Sequence, residues 1–275
     1  MNTLVSTEEL AQHPEWRIFD CRHDLANAAL GEQQYIEAHL PGALFAHLDH
    51  DLSAPKNGGN GRHPLPEPRT FISWLGRQGV KATDQVVCYD GGPGAMAARL
   101  WWMLRWAGHE QVSVLDGGLA KWLREGRAVT AEVPHFEAAS YPGKVRTSMH
   151  ASLALVEKKL KRGALLDARA PARYRGEQEP IDPVAGRIPG AKNRFNNDNL
   201  SAEGVFKKAE LLRKEFEAAL AGRNPGDVIN YCGSGVAACH NALAMEIAGL
   251  TGSRVYIGSW SEWSADPTRP ISRSV

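Results

Sequence analysis

Short apolar runs alternate with segments of helical period along the whole chain. Residues 17–22, 85–90 and 112–116 each hold a short apolar run closed by Asp, the pattern of strands buried on both faces. Residues 71–78 and 95–107 carry a helical period, and Ser6-Thr7-Glu8-Glu9 has the look of a helix N-cap with acidic residues in the first turn. His39-Leu40-Pro41-Gly42-Ala43 reads as a turn, and Gly91-Gly92-Pro93-Gly94 as a loop between a strand and a helix. Gly117-Gly118 opens a helix that holds Trp122. Residues 53–68 form a polar, Gly/Asn/Pro-rich loop long enough to be functional. Strands alternating with helices predict an α/β fold built on parallel sheets with helices on both faces.

The second half repeats the landmarks of the first. Leu165-Leu166-Asp167-Ala168-Arg169 follows Ile18-Phe19-Asp20-Cys21-Arg22 by 147 residues, and Ile188-Pro189-Gly190-Ala191 follows Leu40-Pro41-Gly42-Ala43 by 148. The run ending at Cys232 follows the run ending at Asp90 by 142, and Trp263 follows Trp122 by 141. Landmarks in one order with nearly constant offset predict a tandem duplication. The expected boundaries are a first domain at 1–134, a linker at 135–146 that includes Pro142-Gly143, and a second domain at 147–275.

Composition narrows the function classes. The 275 residues carry 32 Lys plus Arg against 31 Asp plus Glu, a formal net charge of +1, so nothing argues for nucleic acid or an anionic membrane as partner. No apolar run is long enough to span a membrane, and residues 1–10 lack a signal-peptide pattern. The four cysteines (Cys21, Cys88, Cys232, Cys239) form no CxxC pair, so neither a disulfide framework nor structural zinc is expected. A reducing cytoplasm is the default location.

The candidate chemistry lies at Cys232. An apolar run delivers this cysteine to the loop Cys232-Gly233-Ser234-Gly235-Val236-Ala237, and a helix rich in Ala, Leu and Met follows. Backbone N–H groups of such a loop and of the first helical turn favour negative charge on a thiol placed there. The other reading is a buried structural cysteine. The duplication weighs against that, because the equivalent strand end in the first copy holds Asp90, which is no sulfur nucleophile. Strand carboxyl ends are also where sites of open α/β folds lie.

The Asp-x-Arg pair in each copy, [Ile/Leu]-Pro-Gly-Ala in each copy, the Cys232 loop and Gly258-Ser259-Trp260-Ser261-Glu262-Trp263 together resemble the tandem rhodanese-domain sulfurtransferases over nearly the whole chain. The resemblance implies two rhodanese-like α/β domains, the first inactive and the second catalytic, with Cys232 as the nucleophile that carries a persulfide. A cysteine phosphatase would need an arginine six positions after the cysteine, where this chain has Ala238. The loop would cradle the sulfur with Gly233, Gly235, Val236 and Ala237, although the family usually has Thr where Ala237 stands. Arg173 matches the family's substrate-anion arginine, a guanidinium suited to a carboxylate or sulfonate; a surface ion pair is its other reading. The mercaptopyruvate type resembles Pro-Glu-Pro-Arg just downstream, but here Glu179-Pro180-Ile181-Asp182 lacks that second arginine. Arg187 stands where the family more often has His, and either compensates or is simply solvated. His63 and Asp49 match a histidine and an acid that the mercaptopyruvate type brings to its cysteine, so that His63, Ser234 and Cys232 would form a proton relay. Otherwise His63 is a loop histidine and Ser234 a small residue fitted to a tight turn. Trp260 could wall the cleft, whereas Trp263, with its counterpart Trp122, is expected to pack in the core, as are Cys21, Cys88 and Cys239.

The neutral loop favours 3-mercaptopyruvate slightly over thiosulfate as sulfur donor, with cyanide, a small thiol or thioredoxin as acceptor. No metal and no organic cofactor is implied. Two alternatives stay open: a thiosulfate:cyanide sulfurtransferase, and a rhodanese-like sulfur-carrier or binding module without turnover.

Overall fold

The computed structural model describes residues 3–160 and 165–274. Chain contacts divide it into two compact units. The first comprises Met1–Ala54, Pro66–Arg146 and Ala202–Phe206; the second comprises Pro55–Leu65, Thr147–Ser201 and Lys207–Val275. Residues 135–146, expected as a linker, belong to the first unit. The Ala139 amide donates to Gly76 O at 2.8 Å, and the Lys144 and Arg146 amides donate to Ala107 O and Trp106 O.

In the first unit the strands are β1 (Leu4–Val5), β2 (Arg17–Asp20), β3 (Ala43–Phe45), β4 (Val86–Tyr89) and β5 (Val112–Leu115). The helices are α1 (Thr7–Ala11), α2 (Leu30–Glu37), α3 (Pro68–Arg77), α4 (Ala95–Trp106) and α5 (Gly118–Arg124). The five strands form one sheet in the order β1-β5-β4-β2-β3, every pairing parallel. Every residue of β4 and β5 is buried, as a sheet covered on both faces requires. The Ser6 side chain accepts a hydrogen bond from the Glu9 amide at 3.0 Å and so caps α1.

In the second unit the strands are β6 (Leu165–Asp167), β7 (Lys192–Asn193), β8 (Ile229–Tyr231) and β9 (Arg254–Val255). The helices are α6 (Leu153–Lys159), α7 (Pro171–Arg175), α8 (Ala209–Leu220), α9 (Ala237–Ile247) and α10 (Ser259–Trp263). The sheet order is β7-β6-β8-β9, again all parallel, and a single bridge from His150 to Val255 stands where β1 pairs with β5 in the first copy. The duplication seen in the sequence is therefore also a duplication of topology.

The Asp-x-Arg pair does the same work in both units. Asp20 is fully buried and accepts from the Arg22 amide at 2.9 Å, from Arg22 Nε, and from the Tyr89 hydroxyl at 2.7 Å. Arg22 then donates from Nη2 to Ala38 O at 2.7 Å, and the Leu40 amide donates to the Tyr89 hydroxyl at 3.2 Å. In the second unit Asp167 takes the Arg169 amide and guanidinium, Arg169 donates to Gly186 O at 2.7 Å, and the Ile188 amide donates to the Tyr231 hydroxyl at 3.3 Å. Burial first, then the neighbouring aspartate, pushes both tyrosine hydroxyls well above their ordinary value, so they remain donors. Each buried charge is thus paired, and each network ties the end of a central strand to the turn entering the next edge strand.

Among the described residues no helix is long and apolar enough to cross a membrane. Removing one member of a buried pair leaves the other uncompensated. Asp20→Asn is expected to lower stability by about 3–5 kcal/mol in urea unfolding, and a loss below about 1 kcal/mol, the size of an exposed pair, would contradict that account.

Candidate functional site

Strand β8, buried throughout, ends one residue before Cys232, and α9 begins at Ala237 after a four-residue loop. The Cys232 side chain is buried, and its Sγ accepts a hydrogen bond from the Gly235 amide at 3.1 Å. Gly235 has φ +77°, and a Cβ there would lie 2.3 Å from Ile257 O, so glycine is required by both torsion and space. The loop is held from the other side by α10: the Trp260 amide donates to Cys232 O at 3.0 Å and the Ser261 amide to Gly233 O at 2.9 Å. Val236 caps α9 with a buried side chain, and Ala237 opens the helix half-buried.

The first unit shows what such a loop holds. Asp90 follows β4 as Cys232 follows β8, and its carboxylate accepts from the amides of Gly92 (2.9 Å), Gly94 (3.0 Å), Met96 (2.9 Å) and Ala97 (3.3 Å). Four backbone donors converging on one carboxylate form an anion cradle. The second unit has a loop of the same length with a thiol at that position, and α5 grips the first loop as α10 grips the second, through the amides of Leu119 to Asp90 O and Ala120 to Gly91 O.

The two grips differ at one residue that the motif alone did not single out. Gly118, at φ +54°, opens α5, and a Cβ there would lie 2.7 Å from Asp90 O. Its counterpart is Ser259, at φ +55°, one of two non-glycine residues with positive φ among the described residues. Ser259 Oγ accepts the Cys232 amide at 3.1 Å and donates to Tyr256 O at 2.8 Å. A β-carbon in the left-handed region costs about 1 kcal/mol or more. Here it places a hydroxyl against the backbone of Cys232. The only sequence signal was Ser opposite Gly in the aligned repeat.

The predicted site residues are distributed as follows. His63 belongs to the second unit despite its early position in the chain, and its Nδ1 lies 2.8 Å from Ser234 Oγ, both side chains being buried. Asp49 lies in the first unit, where its amide donates to His47 Nδ1 at 3.1 Å and its carboxylate is 3.9 Å from His23 Nε2. Arg173, on α7, is held through Nε and Nη2 by Glu179, at 2.6 Å for the shortest bond, and Nη2 also reaches Asp182 at 3.2 Å. Burial raises the Glu179 carboxyl, but hydrogen bonds from Arg173 and from the Asp182 and Ile181 amides outweigh it and the net shift is downward. Asp182 is shifted upward, burial prevailing over Arg62 and Arg173. Arg187 is engaged elsewhere: it donates to Tyr174 O and Ser274 Oγ, stacks over the Tyr174 ring, and pairs its backbone with Ser272.

Trp260 is corrected from a cleft wall to a core residue. It is fully buried, donates its indole N–H to Val184 O at 2.8 Å, and lies under the Arg169 guanidinium. Trp263 is also fully buried, as its counterpart Trp122 suggested. Cys21, Cys88 and Cys239 are buried free thiols; burial, with Cys88 next to it, pushes the Cys21 thiol well up.

The description "Rhodanese-like domain" matches residues 4–125 and again 152–266. The chain is 45% identical over 276 residues to a probable 3-mercaptopyruvate sulfurtransferase of Pseudomonas aeruginosa, covering 98% of this chain and 97% of that protein. It is 35% identical to the thiosulfate sulfurtransferase of Bos taurus, over 94% and 91% of the two chains. The 3-mercaptopyruvate sulfurtransferase structure from Leishmania major superimposes with a TM-score of 0.85 at 30% identity, over 96% of this chain and 74% of that one. The chain belongs to the rhodanese-like family, with the domain present twice.

Ser259 yields a paired prediction. Ser259→Ala keeps the strained β-carbon and loses the hydroxyl, whereas Ser259→Gly loses the hydroxyl and relieves the strain. Thermal unfolding should rank Ser259→Gly above Ser259→Ala by about 1 kcal/mol; the reverse order would show that the left-handed conformation carries no cost.

Proposed function

We propose that the protein is a sulfurtransferase in which Cys232 takes sulfur from a small anionic donor and passes it to a thiol or cyanide, with 3-mercaptopyruvate favoured over thiosulfate. The reading rests on the cysteine in a loop whose duplicate cradles an anion, and on relatives named for both donors. Attack by the Cys232 thiolate forms an S–S bond and breaks the donor's bond to sulfur. With thiosulfate, sulfite leaves with the electron pair and no proton moves. With 3-mercaptopyruvate, the electron pair passes to carbon, giving the pyruvate enolate, and the proton of the donor's thiol must reach that carbon to give pyruvate. In both cases Cys232 is left as a persulfide anion, which backbone N–H groups stabilise. The acceptor then attacks the outer sulfur and regenerates the thiolate.

The observation that favours 3-mercaptopyruvate is the buried His63–Ser234 hydrogen bond, two residues from the nucleophile. Only the mercaptopyruvate reaction has a proton for such a pair to carry. Arg173 orients the donor's anionic end. Thioredoxin is the proposed protein thiol acceptor, and the reducing cytoplasm, where four free cysteines persist, the proposed location. The thiosulfate reading is supported by the absence of an arginine in the 179–182 segment.

After incubation with either donor, mass spectrometry should show one added sulfur on Cys232. Unchanged turnover in Cys232→Ala would overturn the assignment, and sulfur loading without steady-state pyruvate or thiocyanate production would identify a carrier instead. His63→Asn should lower kcat with 3-mercaptopyruvate by about 100-fold or more, the scale of general acid–base catalysis, and leave thiosulfate turnover nearly intact. Equal losses with both donors would remove the proton-relay role.

A further inference from the structure

Strands β2 and β3 lie side by side and parallel, with Asp20 in register with Phe45. The Ala46 amide donates to Asp20 O at 2.9 Å, so the two segments leave the sheet together at its carboxyl end, where sites of open α/β folds lie. His23 stands just past β2, and His47 and Asp49 just past β3, all three within the first unit. The turn after β3 is closed on itself: the His47 amide donates to Asp51 Oδ2 at 2.8 Å, and the Asp51 and Leu52 amides donate back to His47 O. Inside this turn the Asp49 amide donates to His47 Nδ1 at 3.1 Å, which keeps the lone pair on that nitrogen. Asp49 Oδ2 lies 3.9 Å from His23 Nε2, and the His23 and His47 rings meet edge to face with centroids 5.8 Å apart. One ligand atom from each of the three side chains falls within 4.8 Å of the other two. The two imidazoles are buried, whereas the Asp49 side chain is 22% exposed and gives the cluster a route to solvent.

The geometry points to a binding site for a zinc-like divalent cation, held in the first unit by His23, His47 and Asp49. Two imidazoles and one carboxylate are donors that zinc takes in three-ligand sites, and magnesium or calcium, which take oxygen, fit them poorly. No thiolate belongs to the cluster, so the site differs in kind from the Cys232 thiol. Small side-chain rotations bring the three atoms to metal bonds of about 2.0–2.2 Å. His47 exchanges one 3.1 Å hydrogen bond for its metal bond. Three protein ligands leave a fourth position for water. Because β3 is the edge strand of its sheet, a cation shared between the segments after β2 and β3 ties that edge to the interior. Positions 23, 47 and 49 follow no zinc-motif spacing, so the fold alone assembles them. The inference is independent of sulfur transfer at Cys232.

The test uses the full chain carrying Cys232→Ser, so that the thiol of the second unit does not compete for metal. Calorimetric titration with zinc should show one equivalent bound, and zinc should raise the thermal unfolding midpoint, as binding to the folded state requires. His23→Gln and His47→Gln should each weaken zinc binding by more than about 100-fold, the upper end of what losing an outer partner of a metal ligand costs, and should abolish the midpoint shift. Cobalt(II) should give the weak visible bands of nitrogen and oxygen ligation without the intense near-ultraviolet band of a thiolate ligand. Each variant is compared with its own zinc-free unfolding midpoint, and Asp49→Asn, at a partly exposed position, decides the matter if a histidine variant does not fold. No zinc bound by the parent chain, an equivalent retained unchanged in these variants, or a thiolate band with cobalt would each overturn the site.

Discussion

A loop whose amide N–H groups converge on one point requires negative charge there, because unpaired buried donors are costly and the helix that follows adds its own positive end. In the first unit the Asp90 carboxylate meets that requirement permanently and takes four amides. In the second, Cys232 sits at the same strand end, with the Gly235 amide already on its sulfur. The same backbone therefore encloses a carboxylate in one copy and a thiol, with the Gly235 amide on its sulfur, in the other. A single side chain, carboxylate or thiol, separates the two uses.

Everything else at the site holds that loop in place. The Asp–Arg–Tyr networks pin the ends of β2 and β6 to the turns that lead into β3 and β7, so the neighbouring strands β4 and β8 deliver their terminal residues at a fixed height. Helices α5 and α10 clamp the loops through paired backbone hydrogen bonds. The second unit adds Ser259, whose strained backbone brings a hydroxyl to the Cys232 amide, and His63, which hydrogen-bonds Ser234. Strain at Ser259 and a buried histidine on a long connecting segment are features a purely structural copy has no need for, and Gly118 in the first copy shows the unstrained solution.

The sequence made the repeat, the strands around Val86, Val112 and Ile229, the helices after each loop and the position of Cys232 legible, because each is written as a local apolar run beside glycine punctuation. Other features stayed hidden for physical reasons. Helix α8 buries Leu212, Phe216 and Leu220 in a regular stripe that no local motif marks, and α2 has Ala29 at its N-cap, which offers no side-chain cap. Two chain segments belong to the unit other than the one their position suggests: Pro55–Leu65 to the second and Ala202–Phe206 to the first, where the Phe206 amide donates to Asp116 at 2.8 Å. Such an exchange leaves no trace in periodicity. The partners of Arg62, Asp182 and Ser261, are likewise distant in sequence. Arg187 illustrates the converse, a charged residue close to the right motif whose bonds go to Tyr174 and Ser274.

The central claim is that the Cys232 loop holds a persulfide anion as the Asp90 loop holds its carboxylate. Anomalous sulfur scattering from crystals soaked in 3-mercaptopyruvate tests it most directly. The account predicts a second sulfur peak about 2 Å from Cys232 Sγ, within hydrogen-bonding distance of the amides of residues 234–238. A peak turned away from those amides, or none on a cysteine that still turns over donor, would contradict it.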